Sequence, residues 1–336
     1  MPRIILRLSI PAIVLLSLTA CLPSSDCFRE DLFCAALVTD TLGINDHGMN
    51  QDTWAGLEKA RAKGLVERVE YIESVDPRDY EKNIVYFAER GYDMIVTVGA
   101  GLQDETLLAA DLYPDSVFVG MNQPHAEPRP NLIPITFAED QMGFTAGALA
   151  AHLSKTRVVG AVCETSGIEA MWRYCEGFRA GAKYFDENIK ILVSYRDDGD
   201  RERIFIDESW GYETANKLIF RGADVIFAAG GATAQGAVRA ATEAHVLAIG
   251  AERDQAAALG ESGRGVVTSI YGQASFEVQE VMRLLREGNI SEGLTGQFGV
   301  IPLDEKFSGS LKTEIDGLLL GLWNGEIKTN VTFKKP

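Results

Sequence analysis

The sequence predicts an α/β protein of two doubly wound parallel-sheet domains, and three observations carry that expectation. The chain has 336 residues, 46% of them hydrophobic, which suits about two domains at roughly 150 residues each. Beyond Cys34, short apolar runs alternate with longer amphipathic ones, the order of strands in a parallel sheet covered by helices on both faces. The alternation then restarts near residue 157. In the first run, apolar segments at 34–39, 66–72, 94–98, 117–121 and 132–137 read as strands. Segments with helical spacing at 51–63, 78–90 and 104–112 lie between them. In the second run the strands are 157–163, 189–195, 225–229, 246–250 and 266–271, and the helices are 169–185, 207–221, 234–244 and 275–287.

The apolar, small-residue-rich stretch 143–151 falls short of the roughly 20 residues a spanning helix needs. It reads as a buried helix at the first crossing between domains. The tail reads as a helix over 308–323 and a strand over 327–333. No Pro/Gly/Ser linker separates the halves, so the join is expected to be a hinge of several short strands. The first lobe then comprises 34–137 plus about 272–303, and the second 138–271 plus about 304–336.

Composition narrows the function. The formal charge is −16, the pI about 4.8 and the mean hydropathy −0.01. Disorder, a collagen-like fibre and a disulfide-stapled miniprotein do not fit. A general nucleic-acid binder, which needs clustered Lys and Arg, does not fit either.

Residues 1–20 read as a signal peptide: Arg3 and Arg7, an apolar run over 10–18, then Thr19-Ala20, too short to span and ending in small residues. Leu18-Thr19-Ala20-Cys21 resembles a bacterial lipobox, which would make Cys21 a lipidated N-terminus and 21–33 a tether. An ordinary secretory signal is the alternative. Several acyl chains would hold the protein at a membrane surface. Processing removes two basic residues and no acid, taking the charge from −16 to −18. An exported chain meets oxidising conditions, so Cys27 with Cys34 and Cys163 with Cys175 are possible disulfides; free buried thiols are equally open. No cysteine or histidine spacing suits a metal, and no cofactor motif is present.

In open parallel sheets, ligands bind beyond the carboxyl ends of the strands. Those ends carry Asp40 to Gln51, Val98 to Gly101, Gly120 to Pro124, Cys163 to Gly167, Ala229 to Thr233 and Ile249 to Asp254. Acids, amides and glycines dominate, a lining suited to a polyhydroxylated, weakly polar ligand. Gly230-Gly231 lacks the Lys-Ser/Thr of a triphosphate loop. Ser166 lacks a nucleophile-elbow context. No acid, base and nucleophile assemble, so an enzyme is not expected.

Several segments together resemble the basic membrane lipoprotein family of ABC-transporter substrate-binding proteins, whose characterised members bind purine nucleosides. They are Asn45-Asp46-His47-Gly48-Met49-Asn50-Gln51 with Trp54 and Gly56, Asp140 to Ala150 with Gly143 and Gly147, and Gly177-Phe178 to Lys183 with Gly181. Asp224 to Gly231, and Ile249 to Gln255 with Glu252 and Asp254, complete the set. The resemblance runs in order over about 34–333. It implies a type I periplasmic-binding fold whose lobes close on a ligand, working with an ABC permease and ATPase. Carried over by position, it implies ligand contacts from Asp46 and Asn50, an acid at Glu252 for ribose hydroxyls, and backbone groups at Gly230 and Gly231; Asp40 and Asn45, in the same strand-end loop, are further candidates by place.

Three positions depart from the family pattern. Met49 stands where a stacking Phe is usual, and a thioether packs more softly on a ring. Asn122 stands where an acid reads the base edge, exchanging an acceptor for a donor and acceptor. The Lys expected after Thr268-Ser269 is replaced by Ile270 to Gln273. Tyr174 falls where a second aromatic is usual. The expected function is therefore a lipid-anchored receptor delivering a small polar heterocycle to an importer. Riboflavin or another non-nucleoside, or a sensing role without transport, are the alternatives.

Overall fold

The computed structural model describes residues 27–29, 31–198, 200, 203–289, 293–303 and 309–332. The expected signal peptide and Cys21 lie outside them. Two six-stranded sheets form the frame. The first is built from β1 (Cys34–Val38), β2 (Arg68–Ile72), β3 (Met94–Val98), β4 (Val117–Met121), β5 (Leu132–Phe137) and, much later in the chain, β11 (Leu294–Gly296). Its order is β11-β5-β4-β3-β1-β2. The second contains β6 (Val158–Cys163), β7 (Lys190–Tyr195), β8 (Val225–Ala229), β9 (Leu247–Ala251), β10 (Val266–Gly272) and β12 (Phe298–Val300), in the order β12-β10-β9-β8-β6-β7. All ladders are parallel except β10–β12. β1, β3 and β8 are buried at every residue, which is why they read as unbroken apolar runs rather than as alternation.

Helices cover the sheets. α1 (Met49–Ala62), α2 (Tyr80–Ala88) and α3 (Gln103–Leu112) belong to the first lobe. α4 (Glu139–Leu153), α5 (Glu169–Phe185), α6 (Glu208–Phe220), α7 (Gly231–Glu243) and the short α8 (Gln255–Leu259) belong to the second. α9 (Ala274–Arg286) returns to pack on α1, and α10 (Gly309–Trp323) packs on α4. Every residue of α4 from Met142 to Ala151 is buried. Its closest neighbour is α5, and the contact is made by glycines from both sides. A Cβ on Gly143 would stand 2.0 Å from Tyr174 O, and one on Gly147 2.0 Å from Phe178 O. In return, a Cβ on Gly177 would stand 2.2 Å from Asp140 O, and one on Gly181 1.9 Å from Phe144 O. Only hydrogen fits there, so the two backbones touch. Among the described residues no helix is long and apolar enough to cross a membrane.

Two expectations need correction. β12 pairs antiparallel with Ile270, Tyr271 and Gly272 of the second sheet. The last crossing therefore falls at Gln297, between β11 and β12, and not beyond 303. Residues 327–332 form no strand. Ile327 N donates to Gly321 O, its side chain packs over Gly321, and Thr329 Oγ1 donates to Asp140 Oδ2 at 2.6 Å. The apolar residues of this tail thus lie along helices rather than along a sheet edge.

The chain crosses between lobes three times, after Phe137, after Gly272 and at Gln297. The crossings adjoin: Gln273 N donates to Gln297 O at 2.8 Å. A Cβ on Gly272 or on Gly296 would meet the Phe137 ring at 2.7 or 2.6 Å. Two disulfides are present among the described residues. Cys27–Cys34 (Cα–Cα 6.1 Å) fastens the segment before β1, and Cys163–Cys175 (6.3 Å) ties the end of β6 to α5.

Candidate functional site

The loops after the strands of the two sheets approach each other. Asp254 N, after β9, donates to His47 O, before α1, at 2.9 Å. A Cβ on Gly48 would stand 3.0 Å from Arg253 Cβ. The strand-end loops of the two lobes thus face each other as the two walls of the interlobe region.

In the first wall, the β1–α1 loop folds around two carboxylates. Asp46 Oδ1 accepts from Gly48 N (2.8 Å) and Gln51 N (3.1 Å), and its Oδ2 accepts from Asn50 N (3.2 Å). Asp46 so satisfies amides at the start of α1 that have no intrahelical partner. The Asn50 side-chain amide donates to Asp40 Oδ1 at 2.8 Å and to Asp46 Oδ2 at 3.2 Å. Both of its donors being taken, the buried Asn50 Oδ1 is left without a partner among the described residues. Burial pushes the Asp40 carboxyl above its ordinary range, while the bonds from Asn50 and Leu42 oppose the shift. Met49 is half-buried against the core beside this cluster. Asn45 is exposed. Asn122, at the end of β4, is half-buried in the left-handed region at φ 57°, a conformation asparagine tolerates better than most residues.

In the second wall, Glu252 Oε2 accepts from Gly230 N (3.2 Å) and Gly231 N (3.0 Å). Both glycines are needed. Gly230 has φ 118° and a Cβ there would stand 2.5 Å from Glu164 Cβ; Gly231 has φ 57° and faces Phe205 O at 2.6 Å. Glu252 itself has φ 71°. Glu164, which follows β6, is fully buried; its Oε1 accepts from Arg196 Nε at 2.9 Å. Arg196 also pairs with Asp198 (3.2 Å) and Asp207 (3.6 Å). Sequence reasoning did not single out Glu164, Arg196, Phe205 or Arg253. The available signal was position alone, since Glu164 and Arg253 both lie at strand ends.

Tyr174 is buried. Its ring lies in the second-lobe core, 6.2 Å from Phe227, and its hydroxyl donates to Met142 Sδ at 3.4 Å. The close α4–α5 contact fixes the rotation of α5 and turns this residue toward α4 and β8. The structure therefore brings together Asp40, Asp46, Asn50 and Met49 on one side and Gly230, Gly231 and Glu252 on the other, with Asn45 exposed and Tyr174 buried beneath. Among the described residues, no group of three His, Cys, Asp or Glu is arranged to hold a metal ion. The chemistry available is hydrogen bonding: carboxylate and amide oxygens ready to accept from hydroxyl or amino groups.

The family described as ABC transporter substrate-binding protein PnrA-like matches over residues 33–302. The chain belongs to this family. Its members bind small molecules, work with a permease and an ATPase, and are not enzymes. Among relatives, a CD4+ T-cell-stimulating antigen of Listeria monocytogenes is 28% identical over 285 residues, covering 80% of this chain and 78% of that one. The ABC transporter nucleoside-binding protein BmpA of Lactococcus lactis is 28% identical over 232 residues, 66% of this chain and 64% of that one. A solute-binding protein of an ABC transporter system from Conexibacter woesei superposes with TM-score 0.71 at 23% identity, covering 88% of this chain and 98% of its own. The fold is that of the periplasmic solute-binding proteins. Two of the segments that carry the PnrA-like resemblance, around Gly143–Gly147 and Gly177–Gly181, prove to be the α4–α5 contact. They serve the fold and not the cleft.

Proposed function

We propose that this protein is the lipid-anchored extracytoplasmic receptor of an ABC importer and that it holds a neutral, ring-bearing polyol of the purine-nucleoside class between its lobes. One observation carries the reading: the buried Asn50 Oδ1 has no partner, beside Asp40 and Asp46 and across the cleft from Glu252. Such an acceptor set calls for a ligand rich in donors, as hydroxyls of a sugar are, because a buried acceptor left unmade costs about 1–3 kcal/mol. The nucleoside-binding name of the Lactococcus relative supports the same class. Asp40, Asp46, Asn50 and Glu252 would take the hydroxyls, Met49 would pack on the ring, and Asn122 would meet its edge. No bond is made or broken. Ligand contacts from both walls would favour the closed arrangement, and the permease would read it.

Native mass spectrometry of the protein as purified tests the ligand class. A nucleoside-like mass is expected, and recovery of an amino acid or a metal chelate would overturn the reading. Cys21→Ser is expected to release the protein from membranes; retention of the variant there would remove the lipid anchor from the proposal.

A further inference from the structure

We propose that Arg253 reads the ring edge of the ligand, selecting a ring carbonyl beside a ring-nitrogen acceptor, the edge that hypoxanthine and guanine carry and adenine lacks. The proposal rests on the nucleoside-class reading above. Its starting point is an unusual cation. Arg253 follows Glu252 at the end of β9, and its Nε is buried without a hydrogen-bond partner among the described residues. Glu252 and Asp254 flank it in the chain, and Asp40 and Asp46 line the opposite wall. Even so, it is ion-paired to none of the described residues; by contrast, Arg196 in the same lobe is paired three times over.

Position decides what this guanidinium meets. Its Cβ faces the backbone of Gly48, where an added Cβ would stand 3.0 Å away, and Gly48 directly precedes Met49. A ring packed on Met49 therefore has its edge beside Arg253. The positive charge is felt as far as Asp40, whose carboxyl it draws downward against burial.

Charge then selects the acceptor. Three carboxylates, Asp40, Asp46 and Glu252, line the two walls against this one guanidinium, so a phosphate or carboxylate on the ligand would be repelled. The acceptor must be neutral. A guanidinium presents parallel N–H donors in a fixed plane, which match a carbonyl oxygen and a neighbouring ring nitrogen together. That is the pairing by which arginine recognises guanine O6 and N7. Adenine offers an amino donor at the same place, which sets donor against donor. The flavin ring also carries a carbonyl beside a ring nitrogen, so riboflavin shares the chemistry and is a separate arm of the test.

Isothermal titration of inosine, guanosine, adenosine and riboflavin into the wild-type chain and into Arg253→Gln decides the matter. Inosine and guanosine are expected to bind roughly 5- to 150-fold more tightly than adenosine, the range of one bidentate pair. Arg253→Gln should abolish or reverse that ratio, since a glutamine amide pairs with adenine N6 and N7. With no ion pair to lose, the variant should keep the wild-type melting temperature. Tight riboflavin binding that Arg253→Gln weakens would keep the edge chemistry and change the ring. Adenosine binding as well as inosine does, or an unchanged ratio in the variant, overturns the role of Arg253 and leaves the nucleoside reading standing. A wild-type chain that takes up none of the four probes overturns both.

Discussion

Gly181→Ala adds one methyl group to the α4–α5 contact, and its effect can be worked from the geometry. The new Cβ would stand 1.9 Å from Phe144 O, whereas ordinary contacts begin at 3.4 Å, so about 1.5 Å must be found. The obstructing atom is helix backbone, which does not rotate away as a side chain would. The helices must separate, and the matching contacts at Gly143, Gly147 and Gly177 open with them. Overpacking of this kind costs roughly 1–3 kcal/mol, and the shared contact puts this site at the upper end. Alanine returns about 1 kcal/mol of helix propensity. The net is a loss of about 2 kcal/mol, or roughly 4–8 °C in melting temperature for a unit of 150–250 residues. Gly317→Ala in α10 is the control, since nothing lies within 4 Å of a Cβ there; it should stabilise by about 0.4–1 kcal/mol. Thermal melts followed by circular dichroism measure both. A Gly181→Ala protein that melts at or above wild type, or shifts of the same sign in both variants, would refute the packing argument.

Three further perturbations have definite signs. Burial pushes the Glu139 carboxyl up to about 7 against Arg173 at 3.9 Å. Its folded-state value lies above its ordinary 4.5, so stability is present at low pH and is lost as pH rises through 7. The loss is up to roughly 3 kcal/mol, and Glu139→Gln should flatten it in melts between about pH 5 and 8. Asp46→Ala strands the amides of Gly48, Asn50 and Gln51. It should cost about 1–3 kcal/mol in urea unfolding and speed hydrogen exchange at the start of α1. Arg196→Met leaves Glu164 buried and unpaired, at about 3–5 kcal/mol; adding Glu164→Gln should recover much of the loss, measured by the denaturant midpoint.

Much of the fold was legible because its strands are buried on both faces and so stand out as apolar runs. β11 and β12 were not, since three residues hold too little of any period to register, and the last crossing was displaced with them. The tail after Ile327 has strand-like composition, but it packs on α10 and the start of α4 rather than on a sheet edge. In the cleft, the acids and amides of the β1–α1 loop were readable from their place after a strand. Arg253 and Glu164 occupy equally suggestive places, yet what distinguishes them is pairing. Arg253 is ion-paired to none of the described residues and Glu164 has an arginine brought from the end of β7, and only the folded chain shows either. The burial of Tyr174 was hidden for a related reason: the rotation of α5 is fixed by glycines on another helix, which the periodicity of α5 alone does not reveal.

The meeting of Phe137, Gly272 and Gly296 bears on how the lobes can move. A single connecting segment would leave three rotations soft. Three segments lying side by side, with Gln273 bonded to Gln297 across two of them and one aromatic ring seated on the backbone of both neighbours, resist twisting and lateral sliding, because either would shear the ring off its glycines. Bending about the line through the three segments is the one displacement that preserves every contact. The joint therefore behaves as a pin with one degree of freedom, and its stiffness resides in two positions where any side chain larger than hydrogen would jam it.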